Sequence, residues 1–132
     1  MTGTRQRWGL IAWAYLAVLL TASNMPVYYK STSLLKQVLH NAMHIPAYFI
    51  LTWILLIYLN RRSRSRMLYA GVIAVSMCFG VTNEIVQSFV PGRDTSLLDV
   101  GLNLLGTLLA VYTFHIRKMR KESKNAAYSI IA

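Results

Sequence analysis

Cysteine is nearly absent. Cys78 is the only one in 132 residues, which excludes an intrachain disulfide and any cysteine-based metal cluster. Alone in an apolar run, it reads as a small buried hydrophobe. Acids are almost as scarce, with four Asp and Glu against fourteen Lys and Arg and a formal net charge of +10. Charged residues of both signs make up only 14% of the chain, where a soluble domain carries about 25%. No internal repeat, low-complexity linker, P-loop, zinc-ligand spacing or nucleophile signature occurs. Together these deficits exclude a disordered chain, a disulfide-stapled secreted module and an ordinary water-soluble enzyme. What is present in abundance is apolar: 55% of residues are hydrophobic and the mean hydropathy is +0.42. The length suits one domain, residues 1–132. The chain reads as an all-α integral membrane protein.

Four apolar runs reach or approach the ~20 residues that a membrane-crossing helix needs. They cover about residues 8–23, 43–59, 67–90 and 97–116, followed by a basic tail over 117–132 that looks frayed and solvated from about Lys121. Helices are expected because lipid cannot satisfy open backbone groups, so the predicted architecture is a four-helix bundle. The charges orient it. Arg5, Arg7, Arg61, Arg62, Arg64, Arg66, Arg117, Lys118, Arg120, Lys121 and Lys124 fall on one side, against Lys30, Lys36 and Arg93 on the other. Positive charge favours the cytoplasm, so both termini are predicted inside, with the basic clusters lying on anionic lipid and not on nucleic acid. An alternative is a cleaved signal peptide: Arg5 and Arg7, an apolar run to Leu20, then Thr21-Ala22-Ser23.

Two loops then face outward. The first, about Asn24–Asn41, contains Leu34-Leu35-Lys36-Gln37-Val38-Leu39-His40, a spacing suited to a short interfacial helix. The second is Pro91-Gly92-Arg93-Asp94-Thr95-Ser96, a sharp turn, in which Ser96 or Thr95 could cap the last helix. Three of the four acids, Glu84, Asp94 and Asp99, crowd into this window. Gly80, Glu84 and Gln87 share one helix face by their spacing, as do Asp99, Asn103 and Gly106 on the next span. A short turn makes the two helices antiparallel neighbours, so the faces can meet. Glu84 lies seven residues before Pro91, roughly 10 Å below the helix end. At that depth an acid must be protonated, paired or beside water, and Arg93 is the nearest candidate partner. His44 opens the second span close to Pro46 and Tyr48, with the wetter His40 one turn earlier. One reading is a structural polar network that locks the bundle; the other is a functional site, favoured by an acid pair, a histidine and an arginine converging at one end.

His44-Ile45-Pro46-Ala47-Tyr48, then Asn83-Glu84-Ile85-Val86-Gln87-Ser88-Phe89-Val90-Pro91-Gly92-Arg93, then Ser96, Asp99, Asn103 and Gly106, closely resemble the VanZ-like family of small bacterial membrane proteins. Its pattern is a His with a Tyr four residues on, an E-x-x-Q-x-F-x-P-G-R stretch and a D-x-x-x-N-x-x-G helix. The likeness covers about residues 40–110. The chain departs from it at His40-Asn41, where many members carry Asp-Lys, and at Asn83, where many have Asp. The resemblance implies a multi-pass protein of the bacterial plasma membrane. Its namesake is associated with low-level resistance to the glycopeptide teicoplanin.

Three functions compete. In the first, the chain acts at the outer leaflet on the cell envelope. Arg93 would hold an anionic or lipid-linked ligand with Gln87 and Asn103 as hydrogen-bond partners, and Tyr48 joins that set through the family pattern. In the second, the same cluster is an intramembrane enzyme acting on an amphiphile, with Glu84 as general base, His44 as acid or proton shuttle and Asp99 orienting it. A metal held by His44, Glu84 and Asp99 is conceivable, but the reading takes no metal and no cofactor. The third, an ion or proton pathway, needs polar groups spread through the membrane depth and is the weakest. The partners expected are the bilayer and an envelope ligand.

Overall fold

A computed structural model describes residues 2–26, 33–59, 66–93 and 96–131. Five helices account for nearly all of them: α1 (Thr2–Ser23), α2 (Leu34–Ala42), α3 (His44–Leu59), α4 (Arg66–Gln87) and α5 (Leu97–Ile131), with no strand among the described residues. The all-helical expectation holds. Three stretches are long and apolar enough to cross a membrane: Val38–Leu59, Arg66–Gln87 and Leu97–Tyr128. They correspond to the second, third and fourth predicted runs. Lys30, Arg61, Arg62, Arg64, Asp94 and Thr95 lie outside the described residues.

The predicted short helix before His44 is α2. Helical bonding runs on through its junction with α3, since Met43 N donates to Leu39 O and His40 O, and Ala47 N to Met43 O. Pro46 sits in the first turn of α3, where its missing N–H costs nothing. Ser96 caps α5 with its own hydroxyl, which accepts from Leu98 N at 3.1 Å, as expected for a serine just ahead of a helix. The tail is a correction. From Lys121 onward the chain stays helical to Ile131, because Lys, Glu and Ala are strong helix formers and no Gly or Pro interrupts them. At about 1.5 Å per residue, α5 outruns the ~30 Å of a hydrocarbon core.

The distribution of polarity is inverted relative to a soluble fold. The most buried residues include Thr52, Ser76, Asn83, Glu84, Gln87, Asp99, Asn103 and Thr107, as many as the buried apolar ones. Large hydrophobics such as Trp13, Met67, Phe89 and Leu97 stand fully out on the surface. Such a surface would aggregate in water and is at ease in lipid. Cys78 belongs to it: expected buried, it is exposed. The buried face of α4 carries Val72, Ser76, Gly80, Asn83, Glu84 and Gln87, and Cys78 falls on the opposite side, where hydrocarbon accommodates a thiol.

α3 is the hub. It is apolar on every side and packs most extensively on α5, then on α1 and α4, with Leu51, Leu55, Leu56 and Val72 at the centre. At mid-length the helices are tied by hydroxyls: Thr52 Oγ1 donates to Thr107 Oγ1 at 3.3 Å and lies 3.1 Å from Ser76 Oγ, all three fully buried. Interhelical bonds of this kind average about 0.6 kcal/mol each. Thr52→Val therefore lowers stability by about 1 kcal/mol, read as a modest fall in the thermal midpoint of detergent-purified protein.

Candidate functional site

The site lies where the start of α3, the end of α4 and the start of α5 meet. His44 Nδ1 and Asn103 Oδ1 are 2.9 Å apart. The amide oxygen can only accept, so Nδ1 carries the proton and donates it. The other ring nitrogen, Nε2, lies 4.0 Å from Asp99 Oδ2. Glu84 approaches from α4, and one atom each of His44, Glu84 and Asp99 fall within 4.8 Å of one another. Glu84 Oε2 accepts from Ser96 N at 3.5 Å, at the positive end of the α5 dipole. Glu84 and Asp99 are only 5% and 7% exposed. Four buried polar atoms here have no partner among the described residues: Glu84 Oε1, Asp99 Oδ1, Asn103 Nδ2 and Tyr48 Oη. Gly80 makes the space for this group, since a Cβ on it would stand 3.3 Å from both Asn103 Nδ2 and Tyr48 Oη.

The expected Glu84–Arg93 ion pair does not form. Arg93 turns instead to the C-terminal end of α1. Its Nη2 donates to Ala22 O at 3.4 Å, its Nε to Met25 O at 3.3 Å and its Nη1 to His40 Nε2 at 2.9 Å. Gln87 does the same, with Nε2 donating to Ser23 O at 3.0 Å. Asn83 Oδ1 accepts from Asn24 Nδ2 at 2.9 Å and from Ser23 Oγ at 2.8 Å. The physical reason is local. The last carbonyls of α1 have no intrahelical donor, and a guanidinium at a helix C-terminus is also favoured by the dipole.

The polar residues therefore divide into two adjoining groups. His44, Glu84, Asp99, Asn103 and Tyr48 form a buried cluster, and His40, Asn83, Gln87 and Arg93 form a clasp on α1. Between α1 and the other helices lies a cavity of about 240 Å³, lined by residues of both groups including His44, Tyr48, Gln87 and Arg93. Sequence reasoning missed two features: the role of Ser23 and Asn24, whose position at a helix end was the available signal, and the Thr52–Ser76–Thr107 tie, for which isolated hydroxyls in apolar runs give none.

The inverted polarity, the membrane-length helices and the buried ionisable cluster at their ends define a multi-pass, all-helical membrane protein. More particularly, the chain belongs to the VanZ/LLP1 family, whose model matches residues 5–118. No curated protein and no solved structure matches it.

Proposed function

We propose that this protein acts at the outer leaflet of a bacterial plasma membrane, where it binds an anionic or lipid-linked envelope ligand and contributes to glycopeptide (teicoplanin) resistance. In this reading residues 1–132 form one domain with four spans and both termini in the cytoplasm. The 22 residues of α1 supply the fourth span, being long enough at about 1.5 Å each to cross ~30 Å. The excess of basic residues at both ends and between the second and third runs supports the orientation.

The observation that carries the ligand assignment is the charge of Arg93. It borders the cavity, and its hydrogen-bond partners are two backbone carbonyls and a histidine nitrogen, so no carboxylate among the described residues neutralises it. A phosphate or carboxylate entering from the lipid would be the missing counter-charge, with Gln87 beside it. The acid–base enzyme remains the second reading, favoured by the convergence of His44, Glu84 and Asp99.

Arg93→Ala and Glu84→Gln tell these apart when expressed at matched membrane abundance. On the binding reading, Arg93→Ala weakens ligand binding roughly tenfold or more, as loss of a charge-assisted hydrogen bond implies. Teicoplanin susceptibility then returns to that of cells lacking the protein, while Glu84→Gln retains protection. Loss with both variants favours the enzyme. Unchanged protection in Arg93→Ala at normal abundance refutes the binding reading.

A further inference from the structure

We propose that His44, Glu84 and Asp99 bind a divalent first-row transition-metal cation of the zinc or manganese class. This departs from the sequence expectation of no metal, and it stands apart from the Arg93 reading because Arg93 takes no part in it.

His44 Nδ1–H is committed to Asn103 Oδ1, so in the neutral ring a metal would select, Nε2 offers a lone pair beside two carboxylates. Three electron-rich atoms cannot converge in a buried pocket without a positive charge between them. Arg93 is occupied at the end of α1, and a second proton on His44, 4.0 Å from Asp99, would offset only one of the two carboxylates. Two further observations point inward. Glu84 Oε1 and Asp99 Oδ1 are each unpartnered among the described residues, on residues only 5% and 7% exposed, the Asp99 side chain itself being 10% exposed. Buried carboxylate oxygens without a partner call for one, and a cation that each acid can grip through either oxygen would serve both.

The distances fit. Three atoms within 4.8 Å of one another always leave a point no farther than about 2.8 Å from all of them, so inward movements of a few tenths of an ångström to about 0.8 Å reach the roughly 2.0–2.2 Å of zinc bonds. The donor set selects the metal. An imidazole nitrogen disfavours Mg²⁺ and Ca²⁺, which take oxygen ligands, and the lack of sulfur disfavours Cu⁺. Charge closes as well, since two carboxylates and a dication sum to zero inside an apolar protein. Asn103 plays the outer role usual for metal-bound histidines: it accepts the other ring N–H, fixing the tautomer and the ring's aim. Three protein ligands leave coordination positions open.

Full-length protein, purified in detergent without chelator, is analysed for metal by mass spectrometry. It is then stripped with EDTA and titrated with Zn²⁺ and Mn²⁺ separately. The expected result is one tightly held equivalent per chain, a thermal midpoint raised by the metal, and no displacement by millimolar Mg²⁺ or Ca²⁺. Glu84→Gln and Asp99→Asn each weaken binding roughly a hundredfold or more, and Asn103→Ala about ten- to a hundredfold, whereas Gly101→Ala, whose added Cβ meets nothing within 4 Å, keeps wild-type affinity. Should the site variants fail to fold, Co²⁺ titrated into stripped wild-type protein gives the answer by itself: visible d–d bands of an N/O-ligated site support the proposal. Featureless spectra, absence of saturable binding, or equal binding by Glu84→Gln overturns it and leaves protons as the compensating charge. Because the readout is metal content, its failure is separable from any failure of the resistance reading.

Discussion

Gly106→Val leaves little folded protein in the membrane, and Gly106→Ala lowers its thermal stability sharply. A Cβ at this position would run into the carbonyl oxygen of Ile45 and stand 3.1 Å from that residue's carbonyl carbon and Cα. All three are backbone atoms in the first turn of α3, so no rotamer change relieves the clash; the helices must separate. α3 and α5 form the largest interface of the fold, and close approach through small residues is what holds membrane helices together. Overpacking a tight core costs about 1–3 kcal/mol for a small addition, and the branched valine, with atoms on both sides of its Cβ, costs more than alanine. The contrast is Gly101 on the same helix, where an added Cβ meets nothing within 4 Å. Gly101→Ala should be neutral or stabilising by up to about 1 kcal/mol through helix propensity. Gly80 falls between them, because its near neighbours are the side chains of Tyr48 and Asn103 at 3.2–3.3 Å, which can shift. Membrane abundance and thermal midpoints of the three alanine variants, ranked Gly101 above Gly80 above Gly106, are the measurement. Equal behaviour of Gly106→Ala and Gly101→Ala would remove the close contact from the account.

The same glycine marks how far the sequence could be read. Spacing alone put Asp99, Asn103 and Gly106 on one face, and Glu84 and Gln87 on another that meets it, because a 3.6-residue repeat and a short turn leave few other arrangements. What the repeat does not encode is the direction of long side chains past a helix end. Gly92, at φ 78°, takes the backbone through a conformation that its neighbours would resist, and Arg93 leaves this turn toward α1 instead of Glu84. The destination was set by acceptors at and just beyond the end of a different helix, the open carbonyls of Ala22 and Met25, which no local pattern links to residue 93. Cys78 illustrates the opposite limit. Its apolar surroundings could not say whether those neighbours were protein or lipid, since both look alike to a hydropathy pattern. Membrane-length apolar character was legible for the three stretches that contain α3, α4 and α5; the helical persistence of the tail was not, because a charge-rich stretch can be a solvated helix or a frayed end with the same composition.

Asn103→Leu disables the buried cluster while leaving both its acids in place. Leucine keeps asparagine's branched skeleton of heavy atoms, with bulkier methyls in place of the amide, so at a position with no exposure the change is chemical first and steric second. It removes the 2.9 Å acceptor for His44 Nδ1–H. A buried donor stripped of its partner costs about 1–3 kcal/mol, and the imidazole is freed to take the other tautomer or to rotate off Asp99. The expected outcome is a lower thermal midpoint together with loss of whatever function the cluster performs. Removing the stranded donor as well supplies the control. If the damage comes from an orphaned N–H, then His44→Leu combined with Asn103→Leu is no less stable than Asn103→Leu alone, because replacing both members of a polar pair by apolar groups costs far less than replacing one. The two single variants and the double variant form a thermodynamic cycle, and a coupling of about 1 kcal/mol or more between residues 44 and 103 is predicted. Strict additivity would mean that the histidine is oriented by its packing in α3 and not by the asparagine. The coupling also separates the two ways of reading the cluster: a network that merely locks helices loses stability in the single variant and regains it in the double one, with function following stability. A site built around His44 regains stability in the double variant and stays inactive.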